Sequence, residues 1–450
     1  MSQLSTRLRE IFRDIDQNSS RYVEDLRELI RHPSVAAQNY GIDECSQFLK
    51  QKMEEVGIAA KILPTKGGPP VVYGEVKSSE NNRTILFYAH YDVQPPEPLD
   101  EWTSPPFAAE LREGKIIGRG ASDDKSGVMA PVKAVESYLR IAKSLPTNVK
   151  FLFEGEEEIG SPHLEEFVKD NKDLLKADGM VGYDGDEEVG LGARGVLYVE
   201  LSLEEKRADY HAREAPVLVN PAWRLVWALN SLKDQSERVT IDGFYDDVKN
   251  PTEEDIALIR NLRFEPHEYY SGRILENLRS ETKEKVILRR LFSPTINIDG
   301  ITSGYAGTGM KSVLPKAASA KVDFRLVPNQ DPEEVFQKLK RHLANHDFED
   351  IAVRKIAEYW PFKTSLADKM VQVIIKSSEA VYARRPPITP LEAGAGPDMR
   401  GFTNYLNLSY VGTGAATTEK CNHAPNEYVA PEDYIAGTKK AAAIIHYFGQ

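Results

Sequence analysis

Cysteine is almost missing from this chain. Two in 450 residues, Cys45 and Cys421, cannot build a disulfide framework, and a reducing cytoplasm is the setting expected for such a protein. Long apolar runs are missing as well: no window approaches the roughly 18 consecutive apolar residues of a membrane span. The stretch Met1 to Arg21 is polar and charged and lacks the apolar core of a secretory signal. Positive charge is not in excess. The 57 basic side chains stand against 69 acidic ones, a net −12, which argues against nucleic acid or an anionic membrane as partner. Internal repeats and low-complexity tracts are absent. So are the Gly-x-Ser-x-Gly elbow and the His-Glu-x-x-His helix, which disfavours serine hydrolases of the elbow type and helix-borne zinc proteases.

What remains is a globular composition, 41% hydrophobic and 28% charged, on a chain too long for one ordinary core. Helical spacing covers residues 4–32 and 42–57. Val71–Val76 and Thr84–Tyr88 read as strands, and a helix runs to about Ala142. Val149–Phe153 and Gly179–Tyr183 are further strands, with a helix between them. Strands alternating with helices predict an α/β layered domain. After Gly195 the pattern changes. Val196–Leu203 alternates, helical spacing covers Asn220–Leu232 and a charged stretch from about Thr252, and a loop spans Gly300 to Gly309. Ala318–Val327 is a strand with Lys321, Asp323 and Arg325 on one face, followed by helix 331–345 and strand 350–357. This predicts a smaller α+β domain over 196–358, inserted into a first domain made of 1–195 and 359–450. Helix 366–382, strand Leu406–Val411 and a final helix from Pro431 complete that first domain.

Three motifs are weaker than they look. Gly190-Leu-Gly192-Ala-Arg-Gly195 fits the dinucleotide fingerprint, but a strand follows where a helix N-terminus is needed. In Gly304 to Ser312, Met310 separates Gly309 from Lys311 and breaks the phosphate-loop spacing. Cys421 beside His423 reads better as a small loop residue than as a nucleophile.

The chemistry sits elsewhere. His90 and Asp92 follow an apolar strand. Asp123, the pair Glu157 and Glu158, and Asp184 also lie near strand ends or the turns after them, and His423 follows the last strand. Acids gathered at one sheet edge would resist ionisation unless cations neutralised them. Two divalent metals would offset Asp123, Glu158 and Asp184. A His and carboxylate donor set suits zinc, or manganese or cobalt, better than copper(I) or calcium.

Four blocks carry a resemblance. His90-Tyr-Asp92-Val-Gln-Pro, Gly118-Arg-Gly-Ala-Ser-Asp123-Asp-Lys, Glu154-Gly-Glu-Glu157-Glu158-Ile-Gly-Ser and Asn422-His423-Ala-Pro-Asn-Glu427 resemble the signatures of the M20 metallopeptidases. Gly243-Phe-Tyr-Asp-Asp-Val, Pro294-Thr-Ile-Asn297-Ile-Asp-Gly and Asp323-Phe-Arg325-Leu-Val-Pro point to the carnosinase-like dipeptidase branch. The resemblance spans nearly the whole chain.

It implies a mostly parallel-sheet catalytic domain of the zinc-exopeptidase type (phosphorylase/hydrolase-like) and an inserted lid and dimerisation domain. By the same resemblance His90 and Asp184 hold one metal, Glu158 and His423 the other, and Asp123 bridges them through a cis bond to Asp124. Asp92 orients His90, and Glu157 is the general base acting on a bridging water. Arg325, with Asn297 and Gly394, binds the free carboxylate of the substrate. His211 stabilises the oxyanion from across a homodimer. Two departures stand out: His211-Ala-Arg213-Glu214 replaces the usual His-Ser-Gly, and Ala393-Gly394-Ala395 replaces Gly-Gly-Ser, removing a hydroxyl. The activity implied is hydrolysis of dipeptides or short peptides. An N-acyl amino-acid deacylase and a non-catalytic binding protein are the alternatives.

Overall fold

The computed structural model describes residues 4–262, 264–266, 270, 275, 278–417 and 421–450. The chain divides into two compact units, one of Met1–Gly192, Thr364–Pro390 and Pro397–Gln450, the other of Ala193–Lys363 and Leu391–Gly396.

Five strands make the main sheet of the first unit: β1 (Ala59–Leu63), β2 (Val71–Val76), β3 (Thr84–His90), β4 (Asn148–Glu154) and β5 (Gly179–Gly182), in the order β1-β2-β4-β3-β5. All seven residues of β3 are buried, which explains why it reads as a continuous apolar run and not an alternating one. β3 runs parallel to β4 and β5. The pairs β1–β2 and β2–β4 are antiparallel. The sheet is therefore mixed, which corrects the mostly parallel sheet expected from the sequence. Connection length is the reason. A short loop joins β1 to β2, which suits only an antiparallel pair, whereas β3 to β4 and β4 to β5 cross over through helices Lys125–Ile141 and Leu164–Asp170. The three parallel strands end side by side, and ligands of such sheets lie beyond those carboxyl ends.

Helix Lys125–Ile141 is buried at every residue from Lys125 to Tyr138, and its buried Lys133 is paired with Asp25 and Glu136. It packs on the final helix, Pro431–Phe448. Its start is pinned twice. The Lys125 ammonium donates to the carbonyls of Leu29 (3.1 Å) and His32 (2.5 Å), at and just beyond the C-terminal end of helix Ser19–Ile30. Gly127 is required by a close approach: a Cβ there would lie 2.0 Å from the Tyr183 carbonyl and 2.1 Å from Asp124 Oδ1.

In the second unit β6 (Gly192–Glu204), β7 (Thr295–Ser303), β8 (Ala317–Leu326) and β9 (Ala352–Tyr359) form an antiparallel sheet in the order β7-β8-β6-β9. Leu197, Val199 and Leu201 of β6 and Val322 and Phe324 of β8 face a core completed by Leu225 and Leu229 of helix Pro221–Ser231 and by Leu339 and Leu343 of helix Pro332–Asn345. The alternate residues, among them Tyr198, Asp323 and Arg325, fall on the opposite face.

Several element bounds differ from the sequence expectation. The first helix breaks at Asn18 into Thr6–Gln17 and Ser19–Ile30. The strand expected over Leu406–Val411 is not one: Arg400–Leu406 is a helix that ends at Asn407 in the left-handed region, and only the following Val411–Thr413 reaches Gly182 by hydrogen bonds. Gly300 lies within β7 at a register shift between Ile298 and Gly300, as glycine in a strand often marks, so the loop starts at Gly304. From Thr252 a capping box with Asp255 starts helix Glu253–Arg260, and part of the charged stretch beyond it lies outside the described residues. The Gly190–Gly195 stretch runs into β6, so no helix N-terminus follows its glycines.

Candidate metal centre

His90 ends β3 and is fully buried. Its Nε2 lies 3.2 Å from Asp123 Oδ1 and 3.8 Å from Asp184 Oδ2. The other oxygen of Asp123, Oδ2, lies 3.1 Å from His423 Nε2, which is 3.4 Å from Glu158 Oε2. The two oxygens of one carboxylate thus face two different donor sets. Separations of 3.4 and 3.8 Å exceed an ordinary N···O hydrogen bond. They fit the edge of a tetrahedron with metal–ligand bonds of about 2.1 Å, roughly 3.4 Å. The buried atoms His90 Nε2 and Glu158 Oε1 have no hydrogen-bond partner among the described residues, as expected of atoms reserved for a cation. The donor set therefore fits divalent metal ions.

The supporting shell is built from the same short blocks. His90 Nδ1 has its nearest acceptor in the main-chain carbonyl of Asp92, at 3.1 Å, with the Asp92 carboxylate at 3.5 Å. That carboxylate accepts from the amides of Glu157 and Glu158, each at 3.1 Å. Asp92 therefore does two things, orienting the imidazole mostly through its backbone and holding the turn that carries both glutamates. The Asp123–Asp124 peptide is cis.

Glu427, fully buried, accepts from Arg119 Nη1 (2.7 Å) and the amides of Gly120 (3.0 Å), Ser122 (2.9 Å) and Asp123 (2.9 Å), fixing the loop that delivers Asp123. Asn426 ties down the His423 loop through Thr103 and the Glu101 carbonyl. That loop holds His423 and Asn426 in the left-handed region, a cost of about 1–3 kcal/mol each that such anchoring must offset.

Three further residues join the site beyond the roles the resemblance implies: the Asp124 carboxylate, Gln94 and Asn422. Asp124 is buried and forms a second potential metal group with His90 and Asp184. Gln94 Nε2 donates to Glu158 Oε2 (2.8 Å) and Asn422 Nδ2 to Asp123 Oδ2 (3.1 Å). Each sits next to a recognised ligand or inside its block, which was the only signal available.

Crowded acids shift one another here. Burial pushes Glu157 well above the usual carboxylate range, with Asp184, Glu158 and Asp123 adding to it and His90 opposing. Burial and Asp123 push Glu158 up to about 7. A divalent cation would reverse both pressures.

The remaining predicted residues belong to the second unit. Arg325 and Asn297 sit on adjacent strands β8 and β7. Gly394 is on a short strand that pairs with β6 at Ala193 and Arg194. His211 is exposed, and its Nδ1 accepts from the Arg213 amide at 3.1 Å. That bond leaves Nε2 to carry the proton, so the ring presents a donor.

A fold that gathers imidazoles and carboxylates beyond parallel strand ends, with a second acid beside the cluster, is that of a metallohydrolase. The chain matches the family described as Peptidase family M20/M25/M40 over residues 86–447, and it belongs to that family. It is similar to the human Beta-Ala-His dipeptidase, at 27% identity over 97% of this chain and 92% of that protein. It is also similar to a Cys-Gly metallodipeptidase of Saccharomyces cerevisiae, at 26% identity over 99% of each. Among solved structures it resembles an M20 family metallo-carboxypeptidase from Sulfolobus solfataricus, with a TM-score of 0.89, 38% identity, and 95% of this chain and 99% of that one covered.

Proposed function

We propose that this chain uses two divalent metal ions to hydrolyse the amide bond of dipeptides or short peptides that carry a free C-terminal carboxylate. The observation that carries the two-metal reading is Asp123, whose oxygens face His90 on one side and His423 on the other. His90 and Asp184 would hold one ion, Glu158 and His423 the other, and Asp123 both; zinc suits these donors, with manganese or cobalt as alternatives. When bound, such ions polarise the scissile carbonyl and acidify water. Glu157, kept off the metals by its neighbour Glu158, takes the proton from water and passes it to the leaving nitrogen. His211, acting across the homodimer proposed below, donates from Nε2 to the oxygen that gains charge. Arg325 holds the substrate carboxylate, with Asn297 and Gly394 beside it.

The human and yeast relatives, covered over 92% and 99% of their length, are named dipeptidases, which favours a peptide over an N-acyl amino acid. The test is a comparison of a dipeptide, its C-terminal amide and an acetylated amino acid with the metal-loaded protein. We expect the free dipeptide to be cleaved at least about tenfold faster than either. Equal rates for dipeptide and amide would remove the carboxylate requirement.

We also propose a homodimer through the second unit. Trp223 and Trp227, stacked at 5.9 Å on helix Pro221–Ser231, are 57% and 53% exposed, and edge strand β7 shows Ile298 and Ile301 to solvent. Paired exposed tryptophans and an unpaired strand edge are costly on a lone subunit. Trp223→Glu should shift the sedimentation coefficient from dimer to monomer. A monomeric wild-type protein would end this part of the proposal. Among the described residues no helix is long and apolar enough to cross a membrane. The two unpaired thiols, Cys45 and Cys421, keep a cytoplasmic setting within the proposal.

A further inference from the structure

Arg325 is not alone on its strand. Asp323 lies two residues earlier on β8 and so on the same face. It takes the side-on edge of the guanidinium: Arg325 Nε donates to Asp323 Oδ1 and Oδ2 at 2.9 and 3.1 Å, and Nη2 to Oδ2 at 2.8 Å. The guanidinium carries five N–H groups in a rigid plane, and this pairing leaves its end-on edge, one N–H each of Nη1 and Nη2, for a ligand. The side chain of Asp323 is 9% exposed and that of Arg325 38%, so the acid is shielded while the base keeps access to solvent.

Lys321 shares this face on the far side of Asp323 from Arg325 and is exposed. Asn297 stands opposite Asp323 on β7 and donates to Asp299 at 2.5 Å, and Tyr198 stands opposite it on β6. Arg194 is buried; its Nη1 and Nη2 donate to the main-chain carbonyls of Arg290, Ser293 and Arg325, and its Nε has no hydrogen-bond partner among the described residues. Arg325 is already paired with the carboxylate of Asp323 before any substrate arrives. A single carboxylate can still take the end-on edge in a bidentate pair. A second carboxylate on the same terminal residue meets a shielded acid, and like charges in a partly desolvated place repel.

We infer that Asp323 is a specificity-determining residue, which presents Arg325 end-on and excludes substrates whose C-terminal residue has an acidic side chain. The inference rests on the reading of Arg325 as the carboxylate grip.

The experiment measures kcat/KM for alanyl-leucine and alanyl-glutamate in the wild-type protein, in Asp323→Asn and in Asp323→Ser. A ratio between two substrates does not respond to the fraction of protein that folds. We expect the wild type to prefer alanyl-leucine by about tenfold or more, and each variant to lower that preference by about tenfold. A preference that changes by less than about threefold in both variants overturns the inference. Arg325→Gln, assayed on alanyl-leucine and its amide, separates the two readings. Loss of the carboxylate preference in that variant, with no change in the Asp323 ratios, refutes the role of Asp323 alone. A carboxylate preference that survives Arg325→Gln refutes the grip, and the inference with it.

Discussion

Glu157→Gln should retain the wild-type metal content and lose at least about three orders of magnitude in kcat, the scale on which a positioned acid–base group acts. The residue sits in the same turn as Glu158, whose amide and its own are both held by Asp92. Glu158 lies 3.4 Å from His423 and within the His90 and Asp123 group, whereas Glu157 belongs to neither candidate metal group. Removing its charge therefore takes away a proton acceptor and no ligand. Gln keeps the volume, so the turn should survive. Metal analysis and a dipeptide assay on the same preparation decide the matter. Full activity would sink the base assignment, and a parallel loss of metal would make Glu157 a ligand instead.

The second large effect is on the metal-free protein. A chelator should abolish activity, zinc, manganese or cobalt should restore it, and stability should become strongly dependent on pH. Without cations the cluster keeps protons that an unfolded chain would release. Burial pushes Glu158 from 4.5 up to about 7, and burial also raises Glu157 and Asp124. Burial alone would lower His90, but Asp123 and Asp92 outweigh it and hold the ring well above its ordinary value. The hydrogen bond to Asp123 raises His423.

The signs agree. Acids raised by folding stabilise the native state at low pH and lose that contribution as pH climbs from about 4.5 through about 7. Raised histidines contribute below 6.5 and lose it as pH passes their higher folded values. The shift of Glu158 alone is on the order of 3 kcal/mol. The melting temperature of the chelated protein should therefore fall by several degrees between pH 5 and 8. The metal-loaded protein should not follow it, because cations reverse the repulsion and bind better once the ligands are deprotonated. Parallel melting curves with and without metal, or activity that survives chelation, would refute a structural and catalytic metal.

Much of the site was readable because its residues come in short blocks. His90 and Asp92 are separated by one residue, Glu157 and Glu158 by none, and each block follows a strand whose apolar run is visible. What the blocks could not reveal is the work of their lesser members. Asp92 reads as the partner of His90, yet its carboxylate is closest to the amides of Glu157 and Glu158. Asp323 and Arg325 were seen on one face, but side-on pairing between them depends on rotamers that strand spacing does not set. The strand expected at Leu406 failed for a local reason: Asn407 in the left-handed region ends a helix there, and an apolar run of that length suits either element.

By itself the sequence determined the chemical inventory and the strands that end in it, since apolar runs, turn residues and ligand types are local properties. Tertiary structure decided the rest. Whether β2 pairs antiparallel with β4, and which oxygen of Asp123 faces which imidazole, depends on segments far apart in the chain. Asp123 and His423 are 300 residues apart and meet where the Glu427 carboxylate clamps the loop from Gly120 to Asp123 and Asn426 anchors the His423 loop. A contact of that range has no periodicity to announce it; it exists where the packed sheet and its loops put the atoms.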